Sequence, residues 1–368
     1  MKVNDIDTPA LLIDKGKMMK NLQDMQAYAN EQQVALRPHT KTHKMPNLAR
    51  MQEELGATGI TVAKIGEAEV MEEYGLTDIF IANEIVGETK LNRIKKLAET
   101  INISFAIDCV EHIQEIERVF QDAPKKAQVL IEIEVGEGRS GVIERDDFKM
   151  VMIALKEARF IQFKGIFSHD GHTYKANDHH ECRQLFEEAV NRTLSFAEIA
   201  EEMGMKAEVI SIGSTPPFML QLPIPKGVTE IRPGTYVFMD ASQGNVIGSL
   251  ERCAATILTS VISKPTWERV ITDVGAKGIT SQTRSTGLTK TKGLGHIMEY
   301  GGVTISDVFD EHAIIYDARF RGQVTIGEKV RIIPNHICPV VNLHEKAYLI
   351  SGDEVTEEIP VSCRGKSQ

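Results

Sequence analysis

The chain has 368 residues, of which 42% are hydrophobic and 26% charged, and its formal net charge at pH 7 is −10. This length accommodates two domains with separate cores, and the acidic balance provides no extended basic face for nucleic acid. No apolar stretch reaches membrane-spanning length, and early aspartates occupy the place where a signal peptide needs its apolar segment. Five scattered cysteines suit a reducing compartment better than a disulfide framework. We therefore expect a cytoplasmic protein that binds neither nucleic acid nor membrane.

The first two thirds of the sequence alternate between short apolar strands and amphipathic helices. A strand at 8–14 precedes a helix from 15 to about 33, and roughly eight further strands begin at Leu36 and end with one at 230–237. Most of these strands are followed by a clear helical pattern, as at 88–100 and 110–120. The repeat predicts an α/β fold, a TIM-like (β/α)8 barrel over residues 15–244, with a doubly wound open sheet as the alternative.

The pattern changes after Asp240. Short β-branched segments separated by Gly, Asp, Asn and Pro replace the strand–helix repeat, and no long helical pattern appears. This change predicts a C-terminal all-β domain over residues 245–368.

A basic cluster follows the first barrel strand. Pro38 prevents the chain from continuing as a helix, and the cluster consists of Arg37, His39, Lys41, His43 and Lys44. A lysine enclosed among other cations has a lowered pKa, and its free amine can form a Schiff base with a carbonyl. The alternative is a solvated basic turn.

Two loops at the carboxyl ends of the last barrel strands suit a phosphate group, and chemistry in such barrels gathers at this end. Their glycines allow the backbone to approach a ligand closely, and their hydroxyls and outward-pointing amides can donate hydrogen bonds to it. The loops are Gly213, Ser214 and Thr215 after strand seven and Gly234, Thr235 and Tyr236 after strand eight. Alone, a Gly-Ser-Thr sequence is usually just a turn. Combined with a lysine after strand one, it points to pyridoxal 5'-phosphate.

Four motifs carry a resemblance to a known family: Arg-Pro-His-Thr-Lys-Thr-His-Lys at 37–44, Val-Gly-Glu-Gly-Arg-Ser-Gly-Val at 135–142, Gly-Ser-Thr-Pro at 213–216 and Arg-Pro-Gly-Thr-Tyr at 232–236. They resemble the D-threonine aldolase and D-serine dehydratase family, which belongs to the fold-type III, alanine racemase-like pyridoxal-phosphate enzymes. The likeness extends over nearly the whole chain. It implies that Lys41, rather than Lys44, carries the cofactor. It also implies that a strand within residues 1–14 joins the β domain, and that the protein is a homodimer.

His336 and Cys338 form a candidate metal site. Because they lie two apart at a predicted strand end, both side chains can point the same way, and imidazole with thiolate suits Zn²⁺. An isolated His-X-Cys is more often structural. The resemblance implies a divalent metal here, Zn²⁺ first and Mn²⁺ or Mg²⁺ as alternatives. It associates His-X-Asp with aldolase-type members and His-X-Cys with D-serine dehydratase-type members.

Four further residues are candidates at the barrel mouth. We expect Arg139 to neutralise the cofactor phenolate or orient its ring, and the alternative is an ordinary surface arginine. His169 and His172 are candidates for proton transfer or substrate contact, and Tyr174 for stacking or hydrogen bonding to the cofactor. For these three the alternative is a hydrogen-bonded residue at the barrel rim.

Together these features predict a pyridoxal-phosphate- and divalent-metal-dependent lyase that acts on small β-hydroxy D-amino acids. Dehydration of D-serine or 3-hydroxy-D-aspartate is favoured, with D-threonine-type aldol cleavage to glycine and an aldehyde as the alternative. The preference for D-substrates follows from the resemblance alone. An amino-acid racemase would need a second base and no metal, and a non-catalytic cofactor carrier would lack the β domain.

Overall fold

The computed structural model describes all 368 residues. The chain folds into two compact units that interleave in sequence. The barrel unit comprises residues 25–41, 46–234 and 365–368, and the β unit comprises residues 1–24, 42–45 and 235–364. The limits predicted above, 15–244 and 245–368, stay a prediction. None of the helices combines the length and apolar character required to span a bilayer.

The strands, numbered in chain order, divide between the two units. After β1 (Ala10–Asp14), the barrel unit contributes β2 (Ala35–Leu36), β3 (Ile60–Val62), β4 (Asp78–Glu84), β5 (Asn102–Ile107), β6 (Ala127–Ile133), β7 (Ile161–Ser168), β8 (Val209–Ile212) and β9 (Glu230–Ile231). These eight strands form one parallel sheet in the order β2-β9-β8-β7-β6-β5-β4-β3. A parallel bridge between His39 and Thr61 joins the two ends of this sheet. The predicted barrel is therefore confirmed.

Helix α1 (Lys15–Glu31) precedes the first barrel strand, and helices connect the successive barrel strands after it. The connecting helices are α2 (Pro46–Glu54), α3 (Ile65–Glu73), α4 (Glu88–Thr100), α5 (Val110–Phe120), α6 (Arg145–Glu157), α7 (His179–Glu202) and α8 (Pro216–Met219). In α5 the buried residues recur three or four apart, at Ile113, Ile116, Val119 and Phe120. This spacing places them on one face, which packs inward while the charged face meets solvent.

Aromatic side chains fill part of the barrel interior. Phe80, Ala106, Leu130 and Phe167 form one buried cluster, in which the rings of Phe80 and Phe167 meet edge to face at 5.0 Å between centroids. The guanidinium of Arg232 lies over both rings, 5.0 Å from the Phe167 centroid. A cation packed on aromatic faces in a desolvated interior is stabilised by the ring quadrupoles.

The last barrel strand is shorter than the sequence predicts. The structure has strand geometry only at Glu230–Ile231, whereas the prediction extended to Val237. Pro233 supplies no backbone N–H and Gly234 favours a turn, so the chain leaves the sheet. It then forms a single 3-10 turn at Thr235–Val237.

The β unit contains a nine-stranded sheet. Its strands after β1 are β10 (Ala255–Ser263), β11 (Arg269–Thr272), β12 (His296–Ile297), β13 (Asp307–Val308), β14 (Ala313–Tyr316), β15 (Lys329–Ile333), β16 (Lys346–Ser351) and β17 (Glu354–Pro360). Its short helices are α9 (Ala241–Ile247), α10 (Ala276–Ile279), α11 (Ala318–Gln323) and α12 (Ile337–Val341). The main order is β13-β14-β11-β10-β1-β16-β17, and β15 pairs with β10 and β12. Thus β1 lies between β10, to which it is antiparallel, and β16, to which it is parallel.

Candidate functional site

Lys41 follows the first barrel strand in a single 3-10 turn, Thr40–Thr42, and is half-buried. Pro38 and His39, the two residues before this turn, are held by backbone hydrogen bonds. Pro38 O accepts from Thr61 N at 2.8 Å, and His39 N donates to Pro233 O at 2.9 Å. Lys41 therefore lies at the carboxyl end of β2, where side chains of parallel barrels perform chemistry.

Basic groups converge around His39, whose side chain is buried. Burial lowers the pKa of His39 well below its usual value, and the charges of Lys41, Arg232, His169 and Arg139 lower it further. The imidazole is therefore neutral at pH 7. The sequence predicts a lysine among other cations, and the structure gathers such cations in the barrel unit.

Glu137 and His169 form a close pair near this cluster. His169 Nδ1 lies 2.8 Å from Glu137 Oε2. Burial lowers the pKa of His169, and the Glu137 carboxylate partly opposes that shift. A side chain at Gly171 would collide with the Glu137 carboxylate, so glycine is required there for the pair to form. Glu137 was not predicted as a site residue, although it lies within the motif at 135–142, next to the predicted Arg139.

Arg139 is half-exposed and lies between two carboxylates. Its guanidinium is 3.2 Å from Glu132 Oε1 and 3.7 Å from Glu137 Oε2. Ser140 donates a second hydrogen bond to Glu132 at 2.8 Å. Arg139 is thus oriented by acidic partners at the barrel mouth, and its predicted contact with a cofactor stays a prediction.

Glu84 and Glu132 are two carboxyl groups on β4 and β6 that hydrogen-bond to each other. Burial and the neighbouring carboxylate raise the pKa of Glu84 to about 8. Burial also acts to raise the pKa of Glu132, but hydrogen bonds from Glu84 and Ser140 outweigh it and lower that pKa. The pair therefore holds one proton at pH 7, on Glu84, and leaves Glu132 charged to pair with Arg139.

The loop after β8 places hydroxyls next to a buried acid. Ser214 donates to Asp170 Oδ2 at 3.0 Å, and Gly234 N donates to Thr215 Oγ1 at 3.4 Å. Burial raises the pKa of Asp170, and its other oxygen, Oδ1, is buried without a hydrogen-bond partner. Gly213 lies close to Arg232, and a Cβ there would lie 3.2 Å from the Cβ of Arg232, a tight contact.

His172 and Tyr174 lie in the turn Gly171–Lys175 that follows β7. Both are half-buried. His172 Nδ1 is buried without a hydrogen-bond partner, and its ring faces Gly136, where an added Cβ would be 3.4 Å from Nε2. The structure thus places His172 beside the loop that carries Glu137.

Arg232 is a buried cation that lies within one of the four motifs but was not predicted as a site residue. It donates to Ser211 Oγ at 2.6 Å and to Ser168 O at 2.7 Å. Burial lowers the pKa of Arg232 to about 10, although Glu230 opposes the shift. An arginine in the apolar end of a predicted strand is the signal that identifies it.

The predicted geometry of the metal pair is wrong. His336 and Cys338 do not end a strand: β15 stops at Ile333, His336 is the N-cap of α12, and Cys338 lies in the first turn of that helix. Pro339 fits in a first helical turn, where no intrahelical N–H bond is lost, so the segment becomes helical. Alternation along a strand therefore cannot be the reason that the two side chains share a direction.

Both side chains of the pair have polar neighbours within the β unit. Cys338 Sγ lies 3.2 Å from Thr42 Oγ1 and 3.7 Å from Thr235 Oγ1. His336 Nδ1 lies 3.1 Å from Gln282 Oε1. Thr235, which was predicted to contact the cofactor phosphate, thus lies beside the predicted metal ligand Cys338. Tyr236, predicted to belong to the same phosphate-binding loop, is almost fully buried.

The residues present fit the two groups that the sequence implies. Pyridoxal phosphate needs an amine and anion-binding donors, and the barrel unit offers Lys41, two arginines and the buried hydroxyls of Ser214 and Thr215. Buried polar atoms on Asp170 and His172 still lack protein partners. Imidazole and thiol together suit a borderline-soft divalent ion.

Comparisons with known proteins agree across the whole chain. The pattern of the family "Alanine racemase, N-terminal domain" matches residues 13–242, and that of "Putative serine dehydratase domain" matches residues 254–350. A D-threonine aldolase of an Arthrobacter species is 32% identical over 99% of this chain and 94% of its own length. The chain belongs to the alanine racemase-like family of D-threonine aldolases and D-serine dehydratases. It is therefore a lyase of that pyridoxal-phosphate family.

Solved members of the D-threonine aldolase and D-serine dehydratase family share its fold. D-threonine aldolase from Filomicrobium marinum is 28% identical with a TM-score of 0.89, covering 99% of this chain and 98% of that one. D-threo-3-hydroxyaspartate dehydratase from a Delftia species is 26% identical with a TM-score of 0.90, covering 98% of each chain. Two variants of that dehydratase have been solved, with alanine replacing a histidine or a cysteine two positions later. The cysteine variant is a metal-free form.

Proposed function

We propose that this protein dehydrates small β-hydroxy D-amino acids, D-serine or 3-hydroxy-D-aspartate, with pyridoxal phosphate on Lys41 and a divalent metal held by His336 and Cys338. The products are a keto acid and ammonia. Zn²⁺ is the first expected ion because imidazole and thiolate are its common ligands.

The observation that carries this proposal is the His-X-Cys pair. The Delftia dehydratase has a histidine and a cysteine with the same spacing, and its cysteine variant has been solved in a metal-free form. The thiol of Cys338 in this chain lies beside two hydroxyls, those of Thr42 and Thr235, which can hydrogen-bond a thiolate without displacing it from a metal. The cysteine favours dehydration over aldol cleavage, because the resemblance associates His-X-Cys with dehydratase-type members and His-X-Asp with aldolase-type members.

The side chains of the barrel unit can perform the proton transfers that dehydration needs. Bound pyridoxal phosphate supplies an electron sink for negative charge at the substrate Cα, and a bound divalent metal supplies a Lewis acid for the β-hydroxyl. Lys41 is the proposed base that removes the α-proton. The lysine ammonium formed in that step is the proposed proton donor to the departing hydroxyl. His169, oriented by Glu137, is the proposed substrate contact, and Arg139 holds the phenolate side of the cofactor site.

A second candidate is aldol cleavage of D-threonine or a related substrate to glycine and an aldehyde. It is favoured by the 32% identity to the Arthrobacter D-threonine aldolase, the higher of the two aldolase identities given above. In this reaction a base takes the proton of the β-hydroxyl, and the Cα–Cβ bond breaks instead of the Cβ–O bond.

Product analysis separates the two reactions. The protein, reconstituted with pyridoxal phosphate and Zn²⁺, is incubated with D-serine, 3-hydroxy-D-aspartate and D-threonine, and the L-enantiomers serve as controls. We expect keto acid and ammonia in stoichiometric amounts from at least one of the first two substrates. Glycine and acetaldehyde from D-threonine, without keto acid from any substrate, would establish the aldolase instead. Appearance of the opposite enantiomer without fragmentation would identify a racemase.

A further inference from the structure

Asp240 is a fully buried aspartate at the start of α9 whose carboxylate contacts the metal-ligand segment of the β unit. One oxygen, Oδ1, accepts hydrogen bonds from Ser242 Oγ at 2.7 Å and Gln243 N at 2.8 Å. The other oxygen, Oδ2, accepts from Ile337 N at 3.0 Å. Ile337 is the residue between His336 and Cys338, so the carboxylate is bonded to the backbone of the proposed metal pair.

This arrangement caps two helices with one side chain. The first N–H groups of a helix have no intrahelical acceptor and need one from elsewhere. Gln243 N belongs to the first turn of α9, and Ile337 N is the first N–H of α12. A carboxylate at two helix N-termini is also favoured by both helix dipoles.

The N-cap residue of α12 is His336, and its side chain makes no capping hydrogen bond. In most helices the N-cap side chain supplies that acceptor. Here Asp240 supplies it, so the imidazole of His336 is not used for capping. The capping acceptor of α12 therefore comes from a residue far away in sequence, and the ring nitrogens of His336 are not used to cap the helix.

Backbone hydrogen bonds from the two residues after Asp240 extend the contact to the two residues before His336. Ala241 N donates to Pro334 O at 3.0 Å, and Ser242 N donates to Asn335 O at 3.3 Å. Asn335 is in turn held by its side chain, which donates to Gly293 O at 2.8 Å. The segment before the metal pair is thus fixed residue by residue, and Asp240 Oδ2 provides the last of these bonds.

We propose that Asp240 is a positioning residue for the divalent metal, which fixes the backbone between His336 and Cys338 so that imidazole and thiolate present a preformed pair to the ion. This inference rests on the proposed function of that pair. Without the Oδ2 acceptor, the buried Ile337 N–H is left unpaired and the segment shifts to satisfy it. Residues that orient metal ligands typically contribute about 10- to 100-fold to metal affinity.

Asp240→Ser separates capping from positioning. Serine is an equally good N-cap for α9 but has a single oxygen, which leaves none for Ile337 N. Asp317→Ser is the matched control, because Asp317 is the N-cap of α11 in the same unit and accepts only from Phe320 N in that role. Zn²⁺ affinity of the full-length, cofactor-loaded proteins is measured by competition with a chromophoric chelator, alongside the thermal midpoint of unfolding.

We expect Asp240→Ser to bind Zn²⁺ about 10- to 100-fold more weakly than the wild type, and Asp317→Ser to bind within about twofold of it. Wild-type affinity in a folded Asp240→Ser protein overturns the positioning role and leaves the proposed function standing. If Asp240→Ser does not fold, Asp240→Asn provides the test, because its single oxygen cannot accept from both Gln243 N and Ile337 N. The same loss of Zn²⁺ affinity is expected, and unchanged affinity overturns the positioning role. Failure of the wild type itself to bind Zn²⁺, Mn²⁺ or Mg²⁺ overturns the metal role and this inference together.

Discussion

His169 Nδ1 and Glu137 Oε2 are 2.8 Å apart, and the carboxylate raises the pKa of an imidazole that burial lowers. Removing the negative charge with Glu137→Gln should lower the pKa of His169 further, because burial then acts with less opposition. The ring then stays neutral down to lower pH. NMR titration of the histidine ring protons measures this shift. Glu134→Gln in the same loop is the control, and a His169 pKa that rises or stays constant in Glu137→Gln would contradict the prediction.

Lys41 should be the residue that binds the cofactor aldehyde. Lys41→Arg keeps the positive charge but cannot form the covalent bond, so borohydride reduction of the reconstituted variant should leave no label on the protein. Lys44→Arg, three residues later, should be labelled like the wild type. Peptide mapping of the reduced proteins locates the label. A label on another lysine in the wild type would remove Lys41 from its proposed role.

Cys338 should control metal content. Cys338→Ser replaces a thiolate by a weaker ligand, and we expect at least about a tenfold loss of Zn²⁺ affinity, measured by elemental analysis after dialysis against graded chelator. Cys109→Ser is an informative control, because Asp108, Cys109 and His112 place their potential ligand atoms within 4.8 Å of one another. Loss of metal from Cys109→Ser, with metal retained in Cys338→Ser, would assign the ion to that second cluster.

The proton on Glu84 should make stability depend on pH. The folded state holds it up to about pH 8, whereas the ordinary carboxyl value is 4.5. Since the folded state binds more protons in this interval, its stability should fall as pH rises from about 4.5 to about 8. The slope is at most about 1.4 kcal/mol per pH unit.

Glu84→Gln replaces the protonated acid by an uncharged amide of similar shape. Its stability should lack this part of the pH dependence, and above pH 8 the variant should be more stable than the wild type. Urea unfolding at several pH values measures both curves. Parallel curves for the two proteins would show that the shared proton is absent.

Local pattern predicts most of the barrel because its elements are set by short-range periodicity. The helices Glu88–Thr100 and Val110–Phe120 are confirmed at both ends, since apolar spacing and the flanking strands define them. Closure through the His39–Thr61 bridge follows from packing of the whole sheet, which no single window of sequence contains. The short helix α12 is not evident from the sequence, because a proline usually interrupts a helix, whereas Pro339 occupies a permitted first-turn position.

The site is only partly readable from the sequence. Lys41, Arg139 and His169 follow predicted strands, so their common location at the barrel mouth is expected from strand direction. Glu84 and Glu132 were missed, although a carboxylate within the apolar run of β6 is itself a signal of a buried polar network. The Asp240 contact joins residues nearly a hundred positions apart, and helix-capping chemistry alone does not identify the distant partner.

The placement of β1 between β10 and β16 has a consequence for biosynthesis. Strand β1 emerges from the ribosome long before either of its neighbours, and it carries Leu11, Leu12 and Ile13, all of which are fully buried in the finished fold. Until translation reaches β10, this hydrophobic segment has no edge to join. A nascent chain stalled before β10 is therefore a natural client for a chaperone that holds extended apolar peptides.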